Sequence, residues 1–279
     1  FSVTGPAHFM IMSLVVPGTH SYQYIYTATV GMSEFPEFVV VGMVDGEQVN
    51  YYDSSIKEMI PRREWVKGAV DPDFWNRGTQ ILLGWQQTFK AGIEILRQRF
   101  NQTGGVHTWQ LMYGCELDSD GTTRGYFQFG YDGADYISLD KSTLTWTAAN
   151  QRAVITKNKW DATGADARFQ TNYLENTCIE WVKKYVEYGR ETLLRTERPQ
   201  VSVYSRVSGS QGPEVTCLAT GFFPKDIVVH LQRDGQDLQE DVHSGEVLPN
   251  GDGSFQVRKS LRVSEEELKR HQYSCRVDH

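Results

Sequence analysis

Period-two alternation marks the early part of the chain. Tyr22, Tyr24 and Tyr26 fall on one face, and Phe38-Val39-Val40-Val41 leads into Asp45-Gly46, a hairpin dipeptide, so residues 20–52 are predicted to form antiparallel strands. The period then changes. Asp71-Pro72 supplies an N-cap and a proline at the first helical position, after which Trp75, Leu82, Phe89 and Leu96 recur every seventh residue. Trp85, Ile93 and Phe100 widen that stripe, and residues 71–100 are predicted to form one long helix broad enough in its apolar face to lie on a sheet. The same order follows again: residues 107–116 alternate, 118–125 turn, 126–131 alternate, Asp132-Gly133 turns, and a helical stretch runs from about 150 to 195 with a bend expected at Gly164. Neither half can cover both faces of its own sheet. Two four-stranded halves, residues 19–104 and 105–196, are therefore expected to join into one antiparallel eight-stranded sheet with both helices on one face and a furrow between them, an α+β arrangement.

Beyond Thr196-Glu197-Arg198-Pro199 the pattern becomes short strands with turns at residues 209–213, Asp234-Gly235 and residues 250–253, which reads as a separate all-β sandwich over 197–279. The segments Cys217-Leu218-Ala219, Gly221-Phe222-Phe223-Pro224 and Tyr273-Ser274-Cys275 resemble an immunoglobulin constant-type domain. Tyr273, two residues before the second cysteine, fits the tyrosine corner of that fold, whereas Leu231 stands where its core tryptophan is usual.

Composition narrows the class. Hydrophobic residues at 39% and charged residues at 23% belong to a globular chain, and 279 residues are enough for more than one core. A net charge of -7 with no Lys/Arg run argues against nucleic acid as a partner. Cys115 and Cys178 lie in the platform, Cys217 and Cys275 in the sandwich, which suggests one disulfide in each. Four buried free thiols are the alternative, and the sequon Asn101-Gln102-Thr103 weighs against it by pointing to a secretory route, where disulfides persist. Cys115 ends a strand and Cys178 falls in the second helix, so their bond would staple that helix to the floor. The apolar run from Phe9 to Val16 is too short to span a bilayer, and residues 1–18 read either as the remnant of a secretory leader or as a fused peptide and linker.

From Thr19 to His279 the chain resembles an MHC class I heavy chain. The likeness rests on Thr19-His20-Ser21, Met112-Tyr113-Gly114-Cys115, Tyr131-Asp132-Gly133, Trp146-Thr147-Ala148-Ala149, Lys159-Trp160 and Thr177-Cys178-Ile179-Glu180-Trp181 in the family's order, together with the immunoglobulin signature. Phe35-Pro36-Glu37-Phe38, in the first hairpin, resembles fish members of that family. A groove that holds peptides of many sequences has to grip what they share, their main chain and termini. The resemblance implies that Tyr24, Tyr173 and Tyr185 ring the peptide's amino end, with Phe74 where a further tyrosine is usual. At the carboxyl end it implies Thr156 and Lys159 on the carboxylate and Trp160 on the last peptide carbonyl. Arg99 replaces the mammalian tyrosine there, as in nonmammalian chains, and a guanidinium can fork onto a carboxylate. Tyr113, Trp109, Leu111, Phe127 and Phe129 on the floor, with Ile81, Leu82, Trp85, Phe89, Ile95 and Leu96 on the first helix, are candidates for an apolar lining or for plain helix-to-sheet core. Gly92 and Ile95 stand where the family often bonds peptide main chain with polar residues.

The function so implied is presentation of short peptides to T-cell receptors at the cell surface, the chain being the extracellular portion of a single-pass protein whose span lies elsewhere. Its light chain would be β2-microglobulin, and the acidic stretch Glu240-Asp241 after Asp237 resembles the loop touched by a T-cell co-receptor, or is an ordinary solvated loop. Asn101 would carry a glycan on the loop after the first helix. The apolar lining, Phe74 and Gly92 keep a second reading open, a class I-like molecule whose groove holds lipid, a small molecule or nothing. No His-Glu-x-x-His, Gly-x-Ser-x-Gly, Cys-x-x-Cys or phosphate-binding loop occurs and the seven histidines are scattered, so neither catalysis, nor a metal, nor a cofactor is expected.

Overall fold

A computed structural model of the chain describes residues 18–207 and 212–279. The expectations for residues 1–18 and for a turn beginning at Gly209 fall wholly or mainly outside the described residues. Two compact units divide at Gly189/Arg190.

In the first unit the strands are β1 (His20–Val30), β2 (Phe38–Val44), β3 (Glu47–Asp53), β4 (Ile60–Pro61), β5 (His107–Leu117), β6 (Thr123–Tyr131), β7 (Ala134–Asp140) and β8 (Thr145–Ala148). They form one sheet in the order β4-β3-β2-β1-β5-β6-β7-β8. Each half places its first strand innermost, and the halves meet where β1 pairs β5 antiparallel from His20 opposite Leu117 to Val30 opposite His107. Alternation sends Tyr22, Tyr24, Tyr26, Trp109, Leu111, Phe127 and Phe129 to the helix-bearing face, where they are buried. Ile25, Val39, Val41, Met43, Met112 and Tyr126 occupy the opposite face and are half-buried.

Before the long helix lies α1 (Glu64–Ala69), too short to leave a periodic signal, which buries Val66 and Ala69. The long helix, α2 (Phe74–Arg99), starts two residues later than Asp71-Pro72 implied. Asp71 instead holds a turn, its carboxylate accepting from the Asp73 N–H and from the Arg77 guanidinium. The second helical stretch is broken where one helix was expected. A 3-10 turn at Gln151–Ala153, α3 (Val154–Asp161), α4 (Ala165–Asn172), a π-helical turn at Tyr173–Thr177 and α5 (Cys178–Tyr188) follow one another. The bend expected at Gly164 is present: that residue has φ of 61°, and a Cβ there would lie 2.8 Å from the Arg168 guanidinium. Cys115 and Cys178 are bonded, fastening α5 to β5.

The second unit begins with α6 (Arg190–Leu193) and continues through β9 (Gln200–Val207), β10 (Pro213–Phe222), β11 (Val228–Arg233), β12 (Gln236–Asp237), β13 (Val242–Ser244), β14 (Leu248–Pro249), β15 (Phe255–Arg262), α7 (Glu265–Arg270) and β16 (Tyr273–Asp278). A five-stranded and a three-stranded sheet enclose a core in which Leu231 is fully buried beside the Cys217–Cys275 disulfide, so leucine serves where tryptophan was usual. The tyrosine corner is a different matter, since the Tyr273 hydroxyl is buried without a hydrogen-bond partner among the described residues. Nothing in the packing explains that orphan.

Candidate functional site

Between α2 and the α3-to-α5 stretch the groove contains two clefts that share Trp85, Phe127 and Gln170 at a common waist. Most of their wall is aromatic. Such side chains face the furrow because α2 carries its apolar stripe toward the sheet while β1, β5 and β6 alternate beneath it.

The first cleft, about 410 Å³, is built on tyrosines. Tyr24, Tyr113 and Tyr173 line it together with Phe74, Tyr22, Tyr26, Met59 and Trp181. The Tyr22 hydroxyl donates to the Tyr24 oxygen at 2.9 Å, and Asn50 Nδ2 donates to the same oxygen at 2.7 Å. The Tyr26 and Tyr113 hydroxyls bond each other at 3.2 Å. Of the phenols that line this cleft, Tyr173 alone keeps a hydroxyl with no protein partner among the described residues. Burial pushes the hydroxyls of Tyr22, Tyr24, Tyr26, Tyr113 and Tyr173 above the ordinary tyrosine range, so all stay neutral at physiological pH.

Tyr185, expected to ring this end together with Tyr24 and Tyr173, does not line the cleft. It is fully buried behind the cleft, stacked on Trp181 and packed against Trp65 and Tyr22. Its hydroxyl makes no hydrogen bond of good geometry, although the Tyr22 hydroxyl lies near enough to act on its ionisation. The stacking of Trp181 over the phenol ring is the cause, and nothing in a single sequence reveals which of two neighbouring aromatics lies on top.

The second cleft, about 440 Å³, gathers Arg99, Thr156, Lys159, Trp160, Trp109, Phe127 and Phe129. Arg99 comes from the last turn of α2, Thr156, Lys159 and Trp160 from α3. Arg99 Nη1 donates to the Tyr136 hydroxyl at 2.8 Å and to Thr156 Oγ1 at 2.6 Å. It meets no carboxylate among the described residues, and neither does Lys159. Two cations thus stand at one end of the groove without an ion pair among the described residues, and Asp166, which lines the same cleft, accepts from Gln170 Nε2 at 3.4 Å instead. Tyr136 went unnoticed in the sequence, where the short β7 gives little alternation to place it. Trp109 stacks on Phe129 with centroids 4.9 Å apart and meets Tyr136 edge-on. Ile81 lines the first cleft, Ile95 and Leu96 the second, and Leu82, Trp85 and Phe89 also face them. Leu111, fully buried, lines neither and belongs to the core.

Outside the groove, Asn101 is exposed on the loop after α2. Asp237 is held by His230, Arg276 and Gln232, whereas Glu240 and Asp241 are exposed. No helix is long and apolar enough to cross a membrane, and no cluster of three metal-ligating side chains occurs, both among the described residues.

Residues 18–193 match the family model of class I histocompatibility antigen domains alpha 1 and 2, and residues 200–279 match that of the immunoglobulin C1-set domain. The class I histocompatibility antigen F10 alpha chain of Gallus gallus is 41% identical over 271 residues, covering 96% of this chain and 77% of that one. The major histocompatibility complex class I-related protein 1 of Mus musculus is 40% identical over 262 residues, 94% of this chain and 76% of the relative. The RLA class I alpha chain 11/11 of Oryctolagus cuniculus is 40% identical over 268 residues, 94% and 73%.

Proposed function

Because the chain belongs to the class I histocompatibility antigen family, we propose that its groove holds a short peptide by the ends and displays it at the cell surface to T-cell receptors, with β2-microglobulin as light chain. The observation that carries this reading is the pair of cations, Arg99 and Lys159, that line one end of a largely aromatic groove without an ion pair among the described residues. Two cations against the single Asp166 carboxylate leave this partly desolvated cleft with an excess of positive charge that favours an anionic ligand group, and a peptide's carboxylate supplies one beside an apolar side chain that fills the aromatic space. The half-buried apolar underside of the sheet is the surface proposed for the light chain. Glu240 and Asp241 are proposed to meet a co-receptor, and Asn101 to carry a glycan.

A second reading draws on the first cleft. Phe74 offers no hydroxyl, the Tyr24 oxygen already accepts two hydrogen bonds, and Tyr185 lies behind Trp181, which leaves Tyr173, of the residues expected at this end, to meet an ammonium group. A ligand without a free amino terminus would lose little there, and two of the relatives described above bear class I and class I-related names respectively.

Refolding the chain with β2-microglobulin and melting the complex with and without a peptide library separates the two. At a hundredfold excess over Kd a bound peptide adds about 2.7 kcal/mol, roughly 5 to 10 °C for a domain the size of the platform. No shift at saturating peptide, with a shift from small organic carboxylates instead, would establish the second reading.

A further inference from the structure

Trp109 projects from β5 into the floor of the second cleft and is 6% exposed. Its ring is fixed from several sides, stacked on Phe129, edge-on to Tyr136 and tilted against Phe89. No acceptor among the described residues receives its indole N–H. Opposite it on α2 stands Gly92, which lines the same cleft, and a Cβ at that position would lie 3.3 Å from Trp109 Nε1. The absence of that side chain leaves open the space directly over the donor.

Of the other donors lining this cleft, Lys159 and the Trp160 indole N–H stand on α3 and are left, on the peptide reading, for the ligand's main-chain end. Arg99 is committed in part to Tyr136 and Thr156, and the Trp146 indole nitrogen, also without a partner among the described residues, is enclosed. The Trp109 N–H opens into the cleft, so a ligand that shuts water out must supply an acceptor or leave the donor unpaired, and that difference discriminates between ligands. We propose that the second cleft is specific for a ligand side chain bearing a hydrogen-bond acceptor at its tip, read by the Trp109 indole N–H through the gap that Gly92 leaves. This rests on the peptide reading, and it refines the substrate class: peptides whose last side chain is aromatic with an acceptor oxygen, tyrosine over phenylalanine.

Aromatic shape and acceptor chemistry are separable. Peptides of one sequence ending in phenylalanine, 4-methylphenylalanine, tyrosine or 4-methoxyphenylalanine are compared for affinity to the refolded complex with β2-microglobulin. The two oxygen-bearing ends should bind roughly three- to tenfold more tightly than 4-methylphenylalanine, the worth of one net hydrogen bond. Trp109→Phe removes the donor, and Gly92→Ser brings a hydroxyl within reach of it from the protein itself; each should bring the oxygen-bearing and methyl ends to equal affinity. Equal binding of tyrosine and 4-methylphenylalanine ends to the unaltered chain overturns the inference and leaves peptide binding standing. A tyrosine preference that survives in either variant overturns it as well, since another group would then be the reader. If none of the four peptides raises the melting temperature, the peptide reading falls and this inference with it.

Discussion

Arg99 shows how much one substitution depends on its neighbours. Its guanidinium bonds two hydroxyls, Tyr136 and Thr156, and the hydroxyls also bond each other at 3.1 Å, so the cation is positioned without being neutralised. A ligand carboxylate entering beside Lys159 would gain charge-assisted hydrogen bonds worth about 1.5 to 3 kcal/mol each, and amidation removes the charge that makes them strong. Amidated peptides should therefore bind roughly ten- to a hundredfold more weakly than free acids, as measured by competition on the refolded complex. Lys159→Ala should shrink that ratio; equal binding of acid and amide by the unaltered chain would dismiss the carboxylate assignment. Most of this end was legible from sequence, because Arg99, Thr156, Lys159 and Trp160 stand at positions the family motifs mark. Tyr136 and the burial of Tyr185 were not, since both depend on how neighbouring rings stack. Leu231 was legible for a simpler reason: one apolar side chain replaces another in a core that tolerates it.

One device recurs between elements. At the Asp45-Gly46, Asp132-Gly133 and Asp234-Gly235 corners, where both residues have positive φ, the aspartate accepts from a histidine Nδ1 with one oxygen and from the next residue's N–H with the other. The histidines are His20, His107 and His271. His107 also has Nε2 2.9 Å from the Gly104 carbonyl oxygen, and two nitrogens that both face acceptors favour the imidazolium form. Hydrogen bonding to Asp132 holds its pKa above the usual histidine range, with Gly104 adding to the effect, burial opposing, and Arg97 the one nearby cation that lowers it. Asp45 raises His20 in the same way. A group with a raised folded pKa stabilises below its unfolded pKa of about 6.5 and loses that contribution as pH climbs through the folded value. The melting temperature of the light-chain complex should accordingly fall as pH is raised above about 6.5, and His107→Gln should flatten that slope; an unchanged slope in the variant would place the dependence elsewhere. The Asp-Gly corners were plain in the sequence as turns, because Asp-Gly favours the paired positive φ of a hairpin. Their histidine partners were not, being 25, 25 and 37 residues distant. Of the breaks in the second helix only that at Gly164 was expected; the π-helical turn has no glycine or proline to announce it, and Gly189, which ends α5, was passed over.

For the whole platform, the repeated strand order has a consequence at the line where β1 meets β5. That pairing, eleven residues long on each side, places His20 opposite Leu117 and His107 opposite Val30, so the two halves are related by a near two-fold axis through the middle of the sheet. A half on its own would expose its innermost strand as a bare template of N–H and C=O groups. The surface most complementary to that template is the corresponding strand of the other half, and because the halves repeat one plan, the next most complementary is a second copy of the same half. Separately produced fragments 18–104 and 105–189 should thus reconstitute a one-to-one heterodimer when refolded together, and each alone should pair with itself or aggregate rather than remain monomeric, as sedimentation would reveal. A stable monomeric fragment would mean that the halves are independent modules. Self-pairing would mean that the groove is in essence an internal dimer, with its binding furrow lying on the axis of a symmetry that the connecting loop has made permanent.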